Sequence, residues 1–270
     1  MEKIAVLLSV YKNDSPHYFK QAIESVLDQT YQYFTIFIGV DGPIDHSLEE
    51  LLNTYEENKN IIIIKYKQNR GLACVLNDLI KESFQREYKY LARMDADDIC
   101  DINRFKNQIN FLLSHPEVDV VGGAITEIDE NNNLRGKSIV YPLTHEESRK
   151  FFRYRDPLAH PAVLFRKSFF DKAKGYRPEY RKNQDTMLWF DGFMNGCIFA
   201  NIEEIVLNFR VTDDFYNRRN GWKRAKQMLK SRIEINKTMN YDIRANIFAI
   251  FIAIMTMTPK CIKKFLYSIR

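Results

Sequence analysis

Short apolar runs alternate with longer amphipathic stretches over the first 125 residues of the chain. The runs have the length and the β-branched and aromatic content of buried strands. They cover residues Ile4–Val10, 35–40, 61–66, 89–94 and 118–122. Between them apolar residues recur every three or four positions, and Ser15-Pro16 predicts the start of the first helix. This alternation predicts an α/β fold with a mostly parallel central sheet flanked by helices.

The alternation ends near residue 125. Asn131-Asn132-Asn133 predicts a turn, residues 134–165 predict a meander with a short helix near 146–152, and a further helix is expected after Asp185. Neither a repeat nor a linker composition interrupts residues 1–216. We therefore expect one domain over residues 1–216, with a first half, 1–125, and a second half, 126–216.

The remaining residues, 217–270, differ from the body in charge. The chain has 40 Lys and Arg and 35 Asp and Glu, of which 13 and 2 lie in this tail, so the tail carries +11 and the body −6. Residues 217–239 predict a basic helix. Its expected inner stripe is Trp222, Ala225, Met228, Leu229 and Ile233. Residues 245–258 are uncharged but shorter than the roughly 20 residues that span a bilayer.

The last segment, 260–270, sets apolar residues against basic ones, the pattern of an amphipathic helix at an anionic membrane surface. We therefore expect a basic helical C-terminal extension in peripheral contact with anionic lipid, with packing of the tail on the domain as the alternative. The acidic body argues against a nucleic-acid partner. The four scattered cysteines, and an N-terminal apolar run too short for a signal peptide, predict a cytoplasmic location.

Polar residues follow four of the predicted strands, at the end where parallel sheets bind their ligands. The first strand ends at Ser9-Val10-Tyr11, the second at Asp41-Gly42 and the third near Asn69-Arg70-Gly71. The fourth ends at Asp95-Ala96-Asp97-Asp98. Four separate loops are thus expected to bring carboxylates, a hydroxyl, an aromatic ring and an arginine to one edge of the sheet.

The fourth loop is the candidate metal site. Carboxylates two residues apart after a buried strand suit Mg²⁺ or Mn²⁺, which would complete its coordination with phosphates and stabilise a leaving diphosphate. Asp95 and Asp97 are the candidate ligands. The alternative is that these aspartates form turns and helix caps, and it applies best to Asp98 and Asp101. P-loop and GxGxxG patterns are absent from the sequence.

Three other loop residues are candidates for binding a nucleotide. Asp41 is placed to accept hydrogen bonds from a uracil or ribose edge, Tyr11 to stack on a base, and Arg70 to pair with a diphosphate. A simple turn at Asp41-Gly42-Pro43 and a solvated surface arginine are the alternatives.

Taken together, these segments resemble the family 2 glycosyltransferases of GT-A fold, above all the bacterial O-antigen, capsule and exopolysaccharide enzymes, including the amylovoran type. The resemblance runs in order along nearly the whole chain and is carried by residues 6–11, Asp41-Gly42, 69–72, 92–98, 160–163 and 165–167. It implies inverting transfer of a hexose from a UDP-sugar. Ser9, Tyr11 and Asp41 would bind the uridine, Asp95 the ribose or the metal, and Asp97 the metal directly.

The resemblance also implies a catalytic base and an acceptor. The family's late Glu-Asp pair matches Gln184-Asp185, so Asp185 keeps the position of the base and Gln184 replaces the glutamate. His160 and Gln184 are expected near the acceptor. The implied acceptor is a saccharide on undecaprenyl diphosphate at the inner face of the cytoplasmic membrane. Arg218 and Arg219 are candidates for its diphosphate. The segment 209–214 lacks the histidine with which many relatives contact the metal.

Two other functions remain open. A sugar-1-phosphate nucleotidyltransferase shares a similar core but usually has a glycine-rich loop after its first strand, where this chain has Ser9-Val10-Tyr11. A non-catalytic nucleotide-sugar-binding relative is the other, and Gln184 is its only indication.

Overall fold

The computed structural model of the protein describes residues 1–212 and 221–258. The strands are β1 Ile4–Val10, β2 Phe34–Val40, β3 Ile61–Lys65, β4 Tyr90–Met94, β5 Ile99–Cys100, β6 Val120–Ile128, β7 Leu134–Ile139, β8 Leu164–Arg166 and β9 Phe199–Arg210. The helices are α1 Pro16–Leu27, α2 His46–Asn53, α3 Leu72–Gln85, α4 Arg104–Ser114, α5 His145–Phe152, α6 Lys167–Ala173, α7 Gln184–Met194, α8 Trp222–Thr238 and α9 Ile243–Met257. A 3-10 turn covers His160–Ala162.

The strands join one sheet in the order β3-β2-β1-β4-β8-β6-β9-β5, with β7 paired to β6. The half made of β3, β2, β1 and β4 is parallel. The other half is mixed, because β8 runs antiparallel between β4 and β6 while β6 and β9 are parallel. The predicted α/β fold is confirmed. The regular alternation of strands and helices ends after β6, near residue 125, where the sequence pattern also changes.

The first strand shows how the sheet builds two cores. Ile4, Val6 and Leu8 face one cluster of buried side chains, while Ala5 and Leu7 face a second cluster. The first cluster packs on α1, α2 and α4, and the second on α3, α6 and α7. Apolar residues on both faces are typical of a parallel strand covered on both sides. Because β1 also pairs with β2 and β4 in parallel, the carboxyl ends of these three strands lie at one edge of the sheet.

The helix start and the turn that the sequence predicted are present in the structure. Ser15 is the N-cap of α1, its side chain accepts the N–H of Tyr18, and Pro16 is the first helical residue. The asparagine turn joins β6 to β7, with Asn132 in the left-handed conformation at φ 67°.

The described part of the tail forms α8 and α9, which pack on each other and on the body. Asn236 donates to Asn246 across the pair at 3.0 Å, and Arg232 donates to the carbonyl of Phe152 at 2.9 Å. The predicted inner stripe is wrong at two positions, because Trp222 is 70% exposed and Ile233 43%. The helix instead buries the side that meets α9 and the body. Its buried residues are Ala225, Ser231, Ile235 and Asn236.

The second tail helix has two unlike faces. Ala245, Ala249 and Ala253 are buried at a four-residue spacing, whereas the opposite side leaves large apolar residues exposed. Those residues are Ile243, Ile247, Ile250, Phe251 and Ile254, which we call the α9 apolar face. Within residues 1–212 and 221–258, no helix is both long and apolar enough to cross a bilayer. Residues 260–270 lie outside the described part of the chain, so the amphipathic segment stays a prediction.

Candidate active site

A cleft of about 680 Å³ opens at the carboxyl ends of β1, β2 and β4. It brings together most of the predicted site residues. These are Ser9, Tyr11, Asp41, Asp95, Asp97, His160, Gln184 and Asp185. A larger groove of about 1050 Å³ between α4, α5 and β9 contains none of them. Arg218 and Arg219 lie outside the described residues.

The loop after β4 forms an acidic cluster that lines the cleft. One carboxylate oxygen from each of Asp95, Asp97 and Asp98 lies within 4.8 Å of the others. Asp98 is completely buried, its Oδ1 accepts the N–H of Arg210 at 2.8 Å, and its Oδ2 has no hydrogen-bond partner among the described residues. Burial, followed by the charges of Asp97 and Asp95, raises the pKa of Asp98 well above its ordinary value.

This donor set fits a hard divalent cation. Such ions take carboxylate oxygens, and a cation would offset the repulsion among three clustered carboxylates, one of which has a buried unpaired oxygen. The helix-cap interpretation is wrong for Asp98, because α4 begins at Arg104 and Asp98 is tied to β9 instead. Asp101 does form a local turn, accepting the N–H of Asn103 at 2.9 Å.

Arg210 fixes the acidic loop from β9 and was not predicted. Its Nε donates to the carbonyl of Asp97 at 2.7 Å, and its guanidinium lies 4.2 Å from the ring centre of Tyr18. The remaining nitrogens bind Asn132 and Gln21. The sequence pattern of residues 209–214 shows no metal-binding histidine, and it gives no indication of the structural role of Arg210.

Asp41 organises the loop between β3 and α3. Its Oδ1 accepts the N–H of Arg70 at 2.7 Å, and its Oδ2 accepts from Asn69 Nδ2 and from the N–H of Gly71, both at 2.9 Å. A side chain at Gly42 would meet the backbone N of Asn69 at 2.6 Å, so glycine allows the two loops to touch. Since a carboxylate oxygen accepts two hydrogen bonds, Oδ1 keeps one lone pair for a ligand.

Arg70 does not enter the cleft. Its Nη2 bonds Asp78 of α3 at 2.6 Å, and its guanidinium lies 4.9 Å from the ring centre of Tyr66. The acidic partner on α3 therefore draws the guanidinium away from the place where a diphosphate was expected, and the Arg70 backbone contributes to the site instead. On the neighbouring loop, the N–H of Tyr11 donates to Asp14 Oδ2 at 2.9 Å.

Asp185 also lines the cleft, from the first turn of α7. The N-cap is Asn183, with φ 61°, so the alternative that Asp185 is the cap is wrong. The Oδ1 of Asp185 accepts the N–H of Thr186 at 2.8 Å, and the position near the positive end of the helix dipole favours the carboxylate. Beside it, Gln184 Oε1 is buried with no partner among the described residues.

The N-terminus of α7 is also linked to the tail. Thr186 Oγ1 donates to Asp156 Oδ2 at 2.7 Å, and the Nη2 of Arg232 on α8 donates to Asp156 Oδ1 at 2.6 Å. The first described tail helix therefore supports the element that carries Asp185.

His160 lines the cleft and is 8% exposed. Its Nε2 is 2.7 Å from the hydroxyl of Tyr176, whose backbone is held by the side chain of Asn77. Burial, and then the charge of Arg93, lower the pKa of His160 to about 3. The imidazole is therefore neutral at physiological pH and acts here as a hydrogen-bonding group.

Arg93 is the other residue that was not predicted. It is 2% exposed and lines the cleft, and its Nη2 bonds Asp95 Oδ1. Its Nε and Nη1 have no hydrogen-bond partner among the described residues. Its sequence signals were its place in the segment 92–98, which carries the family resemblance, and its charge in a run that otherwise has the composition of a buried strand.

The chain is similar to known proteins in sequence and in fold. Residues 6–173 match the model of "Glycosyl transferase family 2". The amylovoran biosynthesis glycosyltransferase AmsE of Erwinia amylovora is 30% identical over 98% of this chain and 97% of its own length. An Escherichia coli protein described as a UDP-Gal:α-D-GlcNAc-diphosphoundecaprenol β-1,3-galactosyltransferase is 28% identical over 85% of this chain and 82% of its own.

The fold has a solved counterpart in residues 1–349 of S. aureus TarS, crystallised with UDP. The match has a TM-score of 0.62 at 17% identity and covers 84% of this chain but 65% of that one. This likeness supports the GT-A fold that the sequence resemblance implied. With the family match over more than half the chain and a relative aligned almost end to end, the chain belongs to glycosyl transferase family 2.

Proposed function

We propose that the protein is an inverting hexosyltransferase that moves a sugar from a UDP-sugar to a lipid-linked saccharide during surface polysaccharide synthesis. The observation that carries this proposal is that the acidic loop and Asp185 line the same cleft. The names of the E. coli relative and of the TarS–UDP complex support the choice of donor, and the former supports the acceptor.

The residues of the cleft divide the work. Ser9, Tyr11 and Asp41 bind the uridine, and Asp95 contacts the ribose or the metal. Asp97, with Asp95, would hold Mn²⁺ or Mg²⁺, which as a Lewis acid stabilises negative charge on a departing diphosphate. Asp185 accepts the proton of the acceptor hydroxyl as that oxygen attacks the anomeric carbon. Because attack comes from the side opposite the diphosphate, the anomeric configuration inverts.

The tail would bring the enzyme to its acceptor. The α9 apolar face is exposed along the whole helix, and residues 217–270 carry a net charge of +11. Exposed apolar and basic groups together suit peripheral binding at an anionic cytoplasmic membrane face. Gln184 and His160 would contact the acceptor saccharide, and Arg218 and Arg219 its diphosphate.

UDP release from a panel of UDP-hexoses tests the proposal. The acceptor is membrane lipid extract or a short-chain lipid-diphosphate GlcNAc, and NMR of the product gives the linkage and its anomeric configuration. We expect one donor to give acceptor-dependent UDP and an inverted product. A nucleotidyltransferase would instead form UTP from UDP-sugar and pyrophosphate, and a non-catalytic relative would bind the UDP-sugar without releasing UDP. A product with retained configuration would contradict the proposed mechanism.

A further inference from the structure

Arg93 lies where β4 enters the cleft, and its guanidinium is only partly satisfied. One nitrogen, Nη2, bonds Asp95, while Nε and Nη1 have no partner among the described residues. The residue is 2% exposed, so its guanidinium has little contact with bulk water. A buried donor without an acceptor is unfavourable, and the guanidinium keeps its charge at any physiological pH. The geometry therefore calls for acceptor atoms from a ligand.

The position of Arg93 indicates which part of a ligand it meets. Along β4, Leu91 contributes to the core cluster that contains the helix of Asp185, and Arg93 follows Leu91 on the same face. Its charge acts on both His160 and Tyr176, and Tyr176 in turn is close enough to Asp185 to feel its charge. Arg93 thus lies between the acidic loop and the helix that carries the proposed base.

The transferred sugar must occupy that same interval. Its anomeric carbon has the diphosphate on one side, at the acidic loop, and the attacking hydroxyl on the other, at Asp185. The proposed uridine site is formed by the loops of Ser9, Tyr11 and Asp41, which follow β1 and β2 and so lie to one side of the loop that follows β4. We infer that Arg93 is a specificity-determining residue that binds hydroxyl oxygens of the donor hexose through Nε and Nη1, an inference that rests on the proposed UDP-sugar donor.

The inference also explains the pairing with Asp95. One end of the guanidinium orients the carboxylate that would contact the ribose or the metal, while the nitrogens at the other end have no partner among the described residues. A planar fork gives directional contacts to two neighbouring oxygens, which an ammonium group does not. A site built to bind a hydroxyl discriminates strongly against a sugar that lacks it or presents it with the other configuration.

Arg93→Lys is the decisive variant, because it keeps a positive charge near Asp95 and removes the fork. We expect KM for the preferred UDP-hexose to rise about tenfold or more, and discrimination between 4-epimeric donors to fall by a similar factor, with the UDP inhibition constant changing less than about twofold. Arg177→Lys is the control, since Arg177 pairs with Asp191 outside the cleft. Kinetics within about twofold of wild type would overturn the inference.

A parallel rise in the UDP inhibition constant would also overturn it, by placing Arg93 on the diphosphate. If Arg93→Lys does not fold, wild-type protein assayed with UDP-monodeoxyhexoses decides. Loss of one hydroxyl should then lower kcat/KM by about tenfold, and losses below about twofold at every position would refute a hydroxyl contact. Failure of the proposed function is distinct from both results, because the wild-type protein would then release no UDP from any donor.

Discussion

The backbone N–H of Arg210 donates a 2.8 Å hydrogen bond to Oδ1 of Asp98, although 112 residues separate the two in the chain. The side chain of Arg210 returns a bond of 2.7 Å to the carbonyl of Asp97. These contacts hold the acidic loop against the last strand of the body. The position of the candidate metal ligands therefore depends on β9, which itself contributes no carboxylate to the cluster.

Replacing Arg210 should disturb both stability and turnover. Arg210→Ala removes the side-chain hydrogen bonds to the carbonyls of Asp97 and Asp129, so we expect the free energy of unfolding to fall by about 3 kcal/mol and kcat to fall with it. Urea unfolding and UDP release measure the two effects. Arg135→Ala is the control, because Arg135 is an exposed residue of β7 that donates to the carbonyl of Val211. Equal effects of the two variants would show that Arg210 has no special role.

Asp185→Asn tests the assignment of the base. An amide keeps the size of the side chain but cannot accept the acceptor proton, so kcat should fall by about 100-fold or more while donor KM stays nearly constant. Asp191→Asn, on the same helix but paired with Arg177, should retain wild-type turnover. Turnover of Asp185→Asn above about a tenth of the wild-type value would remove Asp185 from this role.

Metal dependence follows from the carboxylates of the acidic loop. Chelation of divalent cations should abolish UDP release, and Mn²⁺ or Mg²⁺ should restore it. Asp97→Asn should require a higher metal concentration for half-maximal activity and should lose the rise in melting temperature that Mn²⁺ gives the wild-type protein with UDP. Asp101→Asn, which removes the charge of a nearby turn residue but keeps an oxygen that can accept the N–H of Asn103, is the control. Full activity in chelator would refute the metal site.

The sequence predicted the parts of the fold and site that depend on local pattern. Apolar periodicity predicts the strand Ile4–Val10, and capping predicts the start of α1 at Ser15-Pro16. The shared edge of parallel strands predicts that Asp41 and Asp95 line one cleft. These features need only neighbouring residues and one general rule of sheet topology.

The residues that escaped prediction depend on distant contacts. Arg93 lies inside a strand whose composition indicates core, and only its neighbours show that its guanidinium lines the cleft. Arg70 was expected at the cleft, but Asp78 on the next helix binds its guanidinium. Trp222 and Ile233 fit an apolar stripe, yet α8 buries another side because it packs on both α9 and the body. Helical periodicity identifies the apolar stripes along a helix, but the buried side is determined by the elements on which the helix packs.

His160 should make stability depend on pH. Its pKa is lowered from 6.5 to about 3 in the folded protein. Between about pH 3 and pH 6.5 the imidazole is therefore protonated in the unfolded chain and neutral in the folded chain. Protonation of the unfolded chain lowers the free energy of unfolding as the pH falls below about 6.5, by up to about 1.4 kcal/mol per pH unit, and has no effect above that pH. His160→Gln removes the titrating group, so its stability difference from wild type should narrow between pH 7 and pH 5. A constant difference in urea unfolding would contradict the assignment.

Membrane binding should depend on the α9 apolar face. Ile250→Glu with Phe251→Glu places two charges on residues that are 47% and 54% exposed, so folding should be little affected while insertion into lipid becomes unfavourable. In co-sedimentation with vesicles, we expect wild-type protein to bind anionic vesicles, to bind neutral ones less, and to be released by salt. Leu134→Glu, at a 71% exposed apolar residue of β7, controls for added charge elsewhere. If the α9 variant binds anionic vesicles as wild type does, the basic residues alone hold the protein at the membrane, and the exposed face of α9 takes no part.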